Sequence, residues 1–80
     1  MTITVYSKPD YVQCAATYRA LGRRGIAYRA VDVTAAEAAL AYVVALGYAQ
    51  VPVVDTGTEH WSGYRPDRIT VLAERTGSSR

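Results

Sequence analysis

Apolar and polar positions change period several times along the chain, and those changes divide it into elements. Thr2-Ile3-Thr4-Val5-Tyr6 alternates and is rich in β-branched residues, which predicts a strand. Ser7-Lys8-Pro9-Asp10 breaks it. Cys14, Thr17, Tyr18 and Leu21 then recur at helical spacing, so a helix is expected from Tyr11 to Arg24, with those four residues facing inward. Asp10 followed by Gln13 three residues later predicts a capping box at its start, and Gly25 is the expected stop after it. Ile26 to Val33 predicts a second strand. Thr34-Ala35-Ala36-Glu37 predicts a second capping box, followed by a helix with Leu40, Val43, Val44 and Gly47 on one face and Gly47 at its end.

The remaining segments are shorter. Gln50 to Val54 predicts a strand with Pro52 near its start. Asp55-Thr56-Gly57 is a turn, and Thr58 to Trp61 a return strand. Ser62 to Arg65 is a loop. Pro66 sits where the first residue of a helix belongs, with Ile69, Leu72 and Ala73 as that helix's buried stripe. Gly77 to Arg80 is expected to be a frayed tail. The order is β-α-β-α-β-β-α. Two strands flanking a helix require a parallel pair with a right-handed crossover, and the last two strands form an antiparallel hairpin. The expected fold class is α/β, a thioredoxin fold with a mixed four-stranded sheet and three helices on its two faces. Functional loops belong beyond the carboxyl end of the first strand, which is where Ser7 to Cys14 falls.

Composition narrows the function. Eighty residues make one domain, 1–80, and a chain this short buries only about 60% of the surface its unfolded form exposes. Seven tyrosines and one tryptophan supply the aromatic bulk, because phenylalanine is absent. A net charge of +2, scattered apart from Arg23-Arg24, argues against nucleic-acid binding. The start of the chain lacks the charged and apolar regions of a signal peptide. The longest apolar stretch, Ala38 to Ala49, falls short of the ~20 residues a bilayer requires. The expectation is a cytoplasmic protein without membrane contact. One cysteine excludes an internal disulfide and a cysteine-only zinc site. The Cys14–His60 pair has no supporting cluster, so neither metal nor cofactor is expected.

Cys14 is the chemical centre of this reading. A thiol in the first turn of a helix meets unpaired backbone N–H groups and the positive end of the helix dipole, and Lys8 adds charge nearby. The same thiol shares a face with Tyr18 and Leu21, which fits an inert packing residue equally. Tyr11, one turn earlier, reads as an aromatic cover at a helix start. Pro52 reads as a strand-edge proline that donates no ladder hydrogen bond. His60 reads as a half-exposed strand residue without an acidic partner. Trp61 is either a lid on a small core or an exposed contact.

Taken together these residues resemble the NrdH-type redoxins, and the resemblance runs nearly the whole chain. Val5-Tyr6-Ser7-Lys8-Pro9 is similar to the family's first strand and turn, and Val12-Gln13-Cys14 to the second half of its C-V-Q-C motif. Gln50-Val51-Pro52-Val53-Val54 is similar to the segment bearing a cis proline. His60-Trp61-Ser62-Gly63-Tyr64-Arg65-Pro66-Asp67 is similar to its H-W-S-G-F-R-P-D signature. The resemblance implies an electron carrier, working by thiol-disulfide exchange, between thioredoxin reductase and a class Ib ribonucleotide reductase. It makes Cys14 the resolving cysteine. It sets the backbone of Val51, beside a cis Pro52, to pair with an extended substrate segment, with Trp61, Ser62 and Gly63 as the neighbouring wall. A monomer is expected of a carrier that visits two enzymes. One position departs from the motif: Tyr11 stands where the attacking cysteine belongs. A phenol forms no mixed disulfide, so the family's two-cysteine cycle has no first step here. The other readings are a non-catalytic docking module for redoxin partners and a monothiol reaction through Cys14.

Overall fold

In a computed structural model, which describes residues 2–76, the first strand, β1 (Thr4–Ser7), sits inside the sheet with neighbours on both edges. It runs parallel to β2 (Arg29–Asp32) and antiparallel to β3 (Val53–Asp55), and β3 pairs antiparallel with β4 (His60–Ser62). The order across the sheet is β2-β1-β3-β4. Three helices complete the chain: α1 (Val12–Arg23), α2 (Glu37–Ala45) and α3 (Pro66–Thr76). This is the expected β-α-β-α-β-β-α thioredoxin fold. The frayed tail expected at Gly77 to Arg80 lies outside the described residues.

Register decides which side chains meet. Val5, Val54 and Trp61 lie opposite one another across three strands. They pack with Ala20 and Leu21 of α1 and with Ile69, Leu72 and Ala73 of α3 in one buried cluster. Val53 and Val33 gather with Val43 of α2, Val51 and Cys14 in a second cluster, against which Tyr6 and Tyr48 pack. Tyr6 also meets the ring of Tyr42 on α2, 5.5 Å between centroids. Helices therefore cover both sheet faces, and each face has its own small core.

Both interior helix stops follow from glycine at positive φ. Gly25 (φ 69) and Gly47 (φ 95) each follow a capping residue, Arg24 and Leu46. At the end of α1 the Gly25 N–H donates to Gly22 and the Ile26 N–H to Leu21, both at 3.0 Å. At the end of α2 the Gly47 N–H donates to Val44 at 2.9 Å and the Tyr48 N–H to Val43 at 3.3 Å. This double bond to the last turn is the Schellman arrangement, which needs the left-handed conformation that glycine adopts without penalty. It also explains why the second strand starts later than Ile26: that residue's N–H is already committed to the helix.

Both expected capping boxes are absent. Asp10 is left-handed (φ 61), whereas a capping residue needs extended backbone. Tyr11 takes the capping position instead (φ −103, ψ 121), with no side-chain cap bond, so α1 starts at Val12. The second helix starts at Glu37 behind Ala36, likewise without a side-chain cap. Thr34 is engaged elsewhere, its N–H and hydroxyl donating to Oδ1 of Asp32 at 2.8 and 2.6 Å. The apolar face expected of α2 is also only partly buried. Val43 is 2% exposed, but Leu40 and Val44 face outward at 47% and 61%.

Candidate functional site

The chain leaves β1 at Ser7, turns through Lys8-Pro9-Asp10 and enters α1. Three residues of this turn and first helical turn meet at the end of the sheet. Tyr11 is half-buried and packs against the cluster holding Cys14. The Nζ of Lys8 lies over the Tyr11 ring, 4.6 Å from its centroid, within cation–π range. Cys14 is a free thiol and 2% exposed, so it sits under the surface that Lys8 and Tyr11 present. Its N–H is bonded to the Tyr11 carbonyl at 3.1 Å, which ties the two residues into one helical turn.

Two depressions flank this pair, and Lys8 and Tyr11 line both. One, of about 540 Å³, runs between the start of α1 and the sheet edge, with Ser7, Cys14, Tyr18, Ala30 and Asp32 along it. The other, of about 330 Å³, runs along α2, with Leu40, Val43, Val44, Tyr48 and Val51. Ser7 is buried in the first and bonded to the Tyr18 hydroxyl, so the strand end is tied to α1. Asp32 has its carboxyl held below the usual carboxylate value, chiefly by the hydroxyl of Thr34 and then by that residue's N–H.

The Val51–Pro52 bond is cis, as the resemblance implies. Val51 and Pro52 are buried beside the second depression. The end of β4 and the loop after it close on this segment. The Gly63 N–H donates to the Pro52 carbonyl at 2.8 Å, and the Ser62 hydroxyl to the Gln50 carbonyl at 3.0 Å. Trp61 does not share that surface. Its side chain is 3% exposed and belongs to the cluster under α1 and α3, which decides between the two readings in favour of a core residue. Among the described residues its buried Nε1–H has no hydrogen-bond partner, and Arg68 lies 5.7 Å over its ring. His60 is exposed on β4, its Nδ1 2.8 Å from the Tyr48 hydroxyl. Among the described residues no three His, Cys, Asp or Glu side chains gather in a way that would hold a metal ion. Nor, among them, is any helix long and apolar enough to cross a membrane.

One positioning residue was not legible beforehand. Gln13, expected to close the capping box, instead accepts the Tyr64 N–H on Oε1 at 3.2 Å and so joins the start of α1 to the loop after β4. A glutamine at that spacing carries no mark of a partner 51 residues away.

A parallel-antiparallel sheet of this order, with a thiol at the first helix start and a cis proline before the third strand, defines the thioredoxin-fold redoxins. The glutaredoxin family model matches residues 3–61. The glutaredoxin-like protein NrdH of Escherichia coli K12 is 43% identical over 72 residues, 90% of this chain and 89% of the relative. Gene 56 protein of Mycobacterium phage L5 is 39% identical over 74 residues, 90% of this chain and 72% of the relative. The solved structure of E. coli NrdH-redoxin, a protein described as having a thioredoxin-like activity profile, gives a TM-score of 0.87 at 43% identity. That match covers 90% of this chain and 95% of the other. The chain belongs to the glutaredoxin family, and within it is an NrdH-type redoxin. By that kinship it is a glutaredoxin-like thiol redox carrier.

Proposed function

We propose that this chain has the scaffold of an electron carrier from thioredoxin reductase to a class Ib ribonucleotide reductase, with its exchange cycle interrupted at the attacking position. Cys14 stands at the resolving position and Tyr11 at the attacking one. In an intact cycle the first thiolate attacks the target disulfide and forms a mixed disulfide, displacing one target thiolate. The second thiolate then attacks the carrier's own sulfur of that bond, leaving an oxidised carrier and a reduced target. The cycle needs two thiols and this chain has one. The observation that carries the reading is Cys14, the single free thiol, buried one helical turn after a tyrosine. The carrier works as a monomer in the cytoplasm, with Lys8, the Val51 backbone, Ser62 and Gly63 as its partner-facing surface and Trp61 supporting that wall from the core.

The test is the reduction of insulin disulfides with thioredoxin reductase and NADPH. The chain as it stands is expected to be inactive, and Tyr11→Cys to gain activity. A Tyr11→Cys protein that folds and stays inactive overturns the reading.

A second reading, a docking module that binds redoxin partners without turnover, is favoured by one observation. The loop at Ser62 and Gly63 is bonded to Gln50 and Pro52, so the surface beside Val51 is built although the nucleophile is missing. Titration calorimetry against a competent thioredoxin reductase and a competent class Ib ribonucleotide reductase tests it, and no heat with either removes it.

A further inference from the structure

We propose that Tyr11, held in place by Lys8, is a closed gate over Cys14, and that the thiol becomes accessible by displacement of that one ring rather than by unfolding of the domain. This inference concerns the free protein and holds independently of any carrier role.

Three observations carry it. The first is position. Cys14 is the third residue of α1 and lines the depression of about 540 Å³, yet it is only 2% exposed. Its floor is the valine cluster of Val33 just after β2, Val43 of α2, Val51 before the cis Pro52 and Val53 of β3. Its other side faces the depression, where Tyr11 packs on the same cluster. The second is the attachment of that ring. Tyr11 is the capping residue of α1: its backbone is extended, and although its carbonyl accepts the Cys14 and Ala15 N–H groups, its side chain stands outside the helix. Its side chain makes no cap bond, and the contact holding its outer face is the Lys8 ammonium at 4.6 Å. The third is where the ring has room to go. Tyr11 and Lys8 border both depressions, so there is open space beside the ring for it to swing into.

The floor and the gate differ in how they open. Removing the valine floor means separating α2 from the sheet, a global event. Moving a half-buried ring at an element end is a local opening of the kind that costs far less than unfolding. An exposed cation–π contact is a weak latch, so an anionic group that drew the Lys8 ammonium away would favour the open form.

The experiment is alkylation of Cys14 by iodoacetamide in native buffer, followed by intact mass across a range of urea below the unfolding transition. The thiolate displaces iodide, a C–S bond forms, and the thiol proton passes to buffer. In the unmodified sequence the rate is expected to depend weakly on urea, the signature of a local opening. Tyr11→Ala should raise it roughly tenfold or more while Tyr11→Phe, which keeps the ring, stays near the starting rate. Lys8→Met should raise it about two- to fivefold, the shift in equilibrium that a surface cation–π contact supports. The proposal is overturned if the Tyr11→Ala rate rises only as much as its global unfolding constant does, with the full urea slope of unfolding. It is overturned equally if Tyr11→Phe reacts as fast as Tyr11→Ala. Should Tyr11→Ala fail to fold, Lys8→Met decides alone: a faster reaction at low urea supports the gate, and an unchanged one removes it.

Discussion

The side-chain oxygen of Gln13 accepts the backbone N–H of Tyr64 at 3.2 Å, fastening the helix that carries Cys14 to the loop that follows β4. The residue before Tyr64 is part of the same junction. Gly63 has φ 87, and a methyl group built on it would lie 3.4 Å from that Gln13 oxygen.

Gln13→Ala is therefore expected to cost about 1 kcal/mol, the net value of one hydrogen bond of this kind. Urea unfolding should show a lower midpoint at unchanged slope. Gly63→Ala should cost about 1–2 kcal/mol, because its backbone is left-handed and a Cβ opposes that conformation. The 3.4 Å approach is ordinary contact, so the cost resides in the backbone. The double variant should then lose close to the sum of the two single losses. Rescue of Gly63→Ala by Gln13→Ala would show a side-chain clash instead.

Two core side chains on the α1–α3 face, Leu21 and Trp61, should respond differently to trimming. Leu21 is fully buried, and Leu21→Ala is expected to cost about 2–5 kcal/mol through lost burial and the cavity left behind. For a domain this small that approaches the whole stability, so the variant is best followed by circular dichroism at low temperature. Trp61→Phe also loses apolar area, but it removes an indole N–H that is buried without a partner among the described residues, a group whose burial costs roughly 1–3 kcal/mol. The expected net effect is small, and a thermal midpoint many degrees below the starting protein's would contradict it.

Acid titration offers a third check. The Asp32 carboxyl lies below its ordinary value because the Thr34 hydroxyl, and after it the Thr34 N–H, favour the ionised form. A depressed folded value means that its contribution to stability is present above the unfolded value of 3.8 and is lost as pH falls through the folded one. Thr34→Val removes the first donor and keeps the second. The Asp32 carboxyl carbon, followed by NMR, should titrate at higher pH in that variant while remaining below the ordinary value. An unchanged midpoint would mean that the hydroxyl does not hold the charge.

Much of the fold was legible because it rests on local chemistry. The alternation ahead of Ser7 marks a strand. The spacing of Cys14, Thr17 and Leu21 marks the buried side of α1, and Ile69, Leu72 and Ala73 that of α3. Gly25 and Gly47 stop their helices, and Pro66 begins one, through backbone constraints that act within a few residues. The same local reading located Cys14 and Tyr11 on one helical turn beyond β1. It failed at the caps, because Asp10 and Thr34 both had competing local conformations. A left-handed turn took the first and the Asp32 carboxylate took the second.

What the sequence by itself determined is the order of elements, the identity of the single thiol and the tyrosine in front of it. Only the tertiary structure decided which way three ambiguous side chains face. In α2 apolar residues lie all round, so no periodicity distinguishes Val43, which the sheet buries, from Leu40 and Val44, which it leaves outside. Trp61 on a short strand fits either face until β3 sets its register opposite Val54 and turns it into the core. Cys14 fits an exposed or a buried thiol until Val33, Val43, Val51 and Val53, from three other parts of the chain, close beneath it. Each of these depends on contacts between residues distant in the chain, which a local pattern of polarity does not encode.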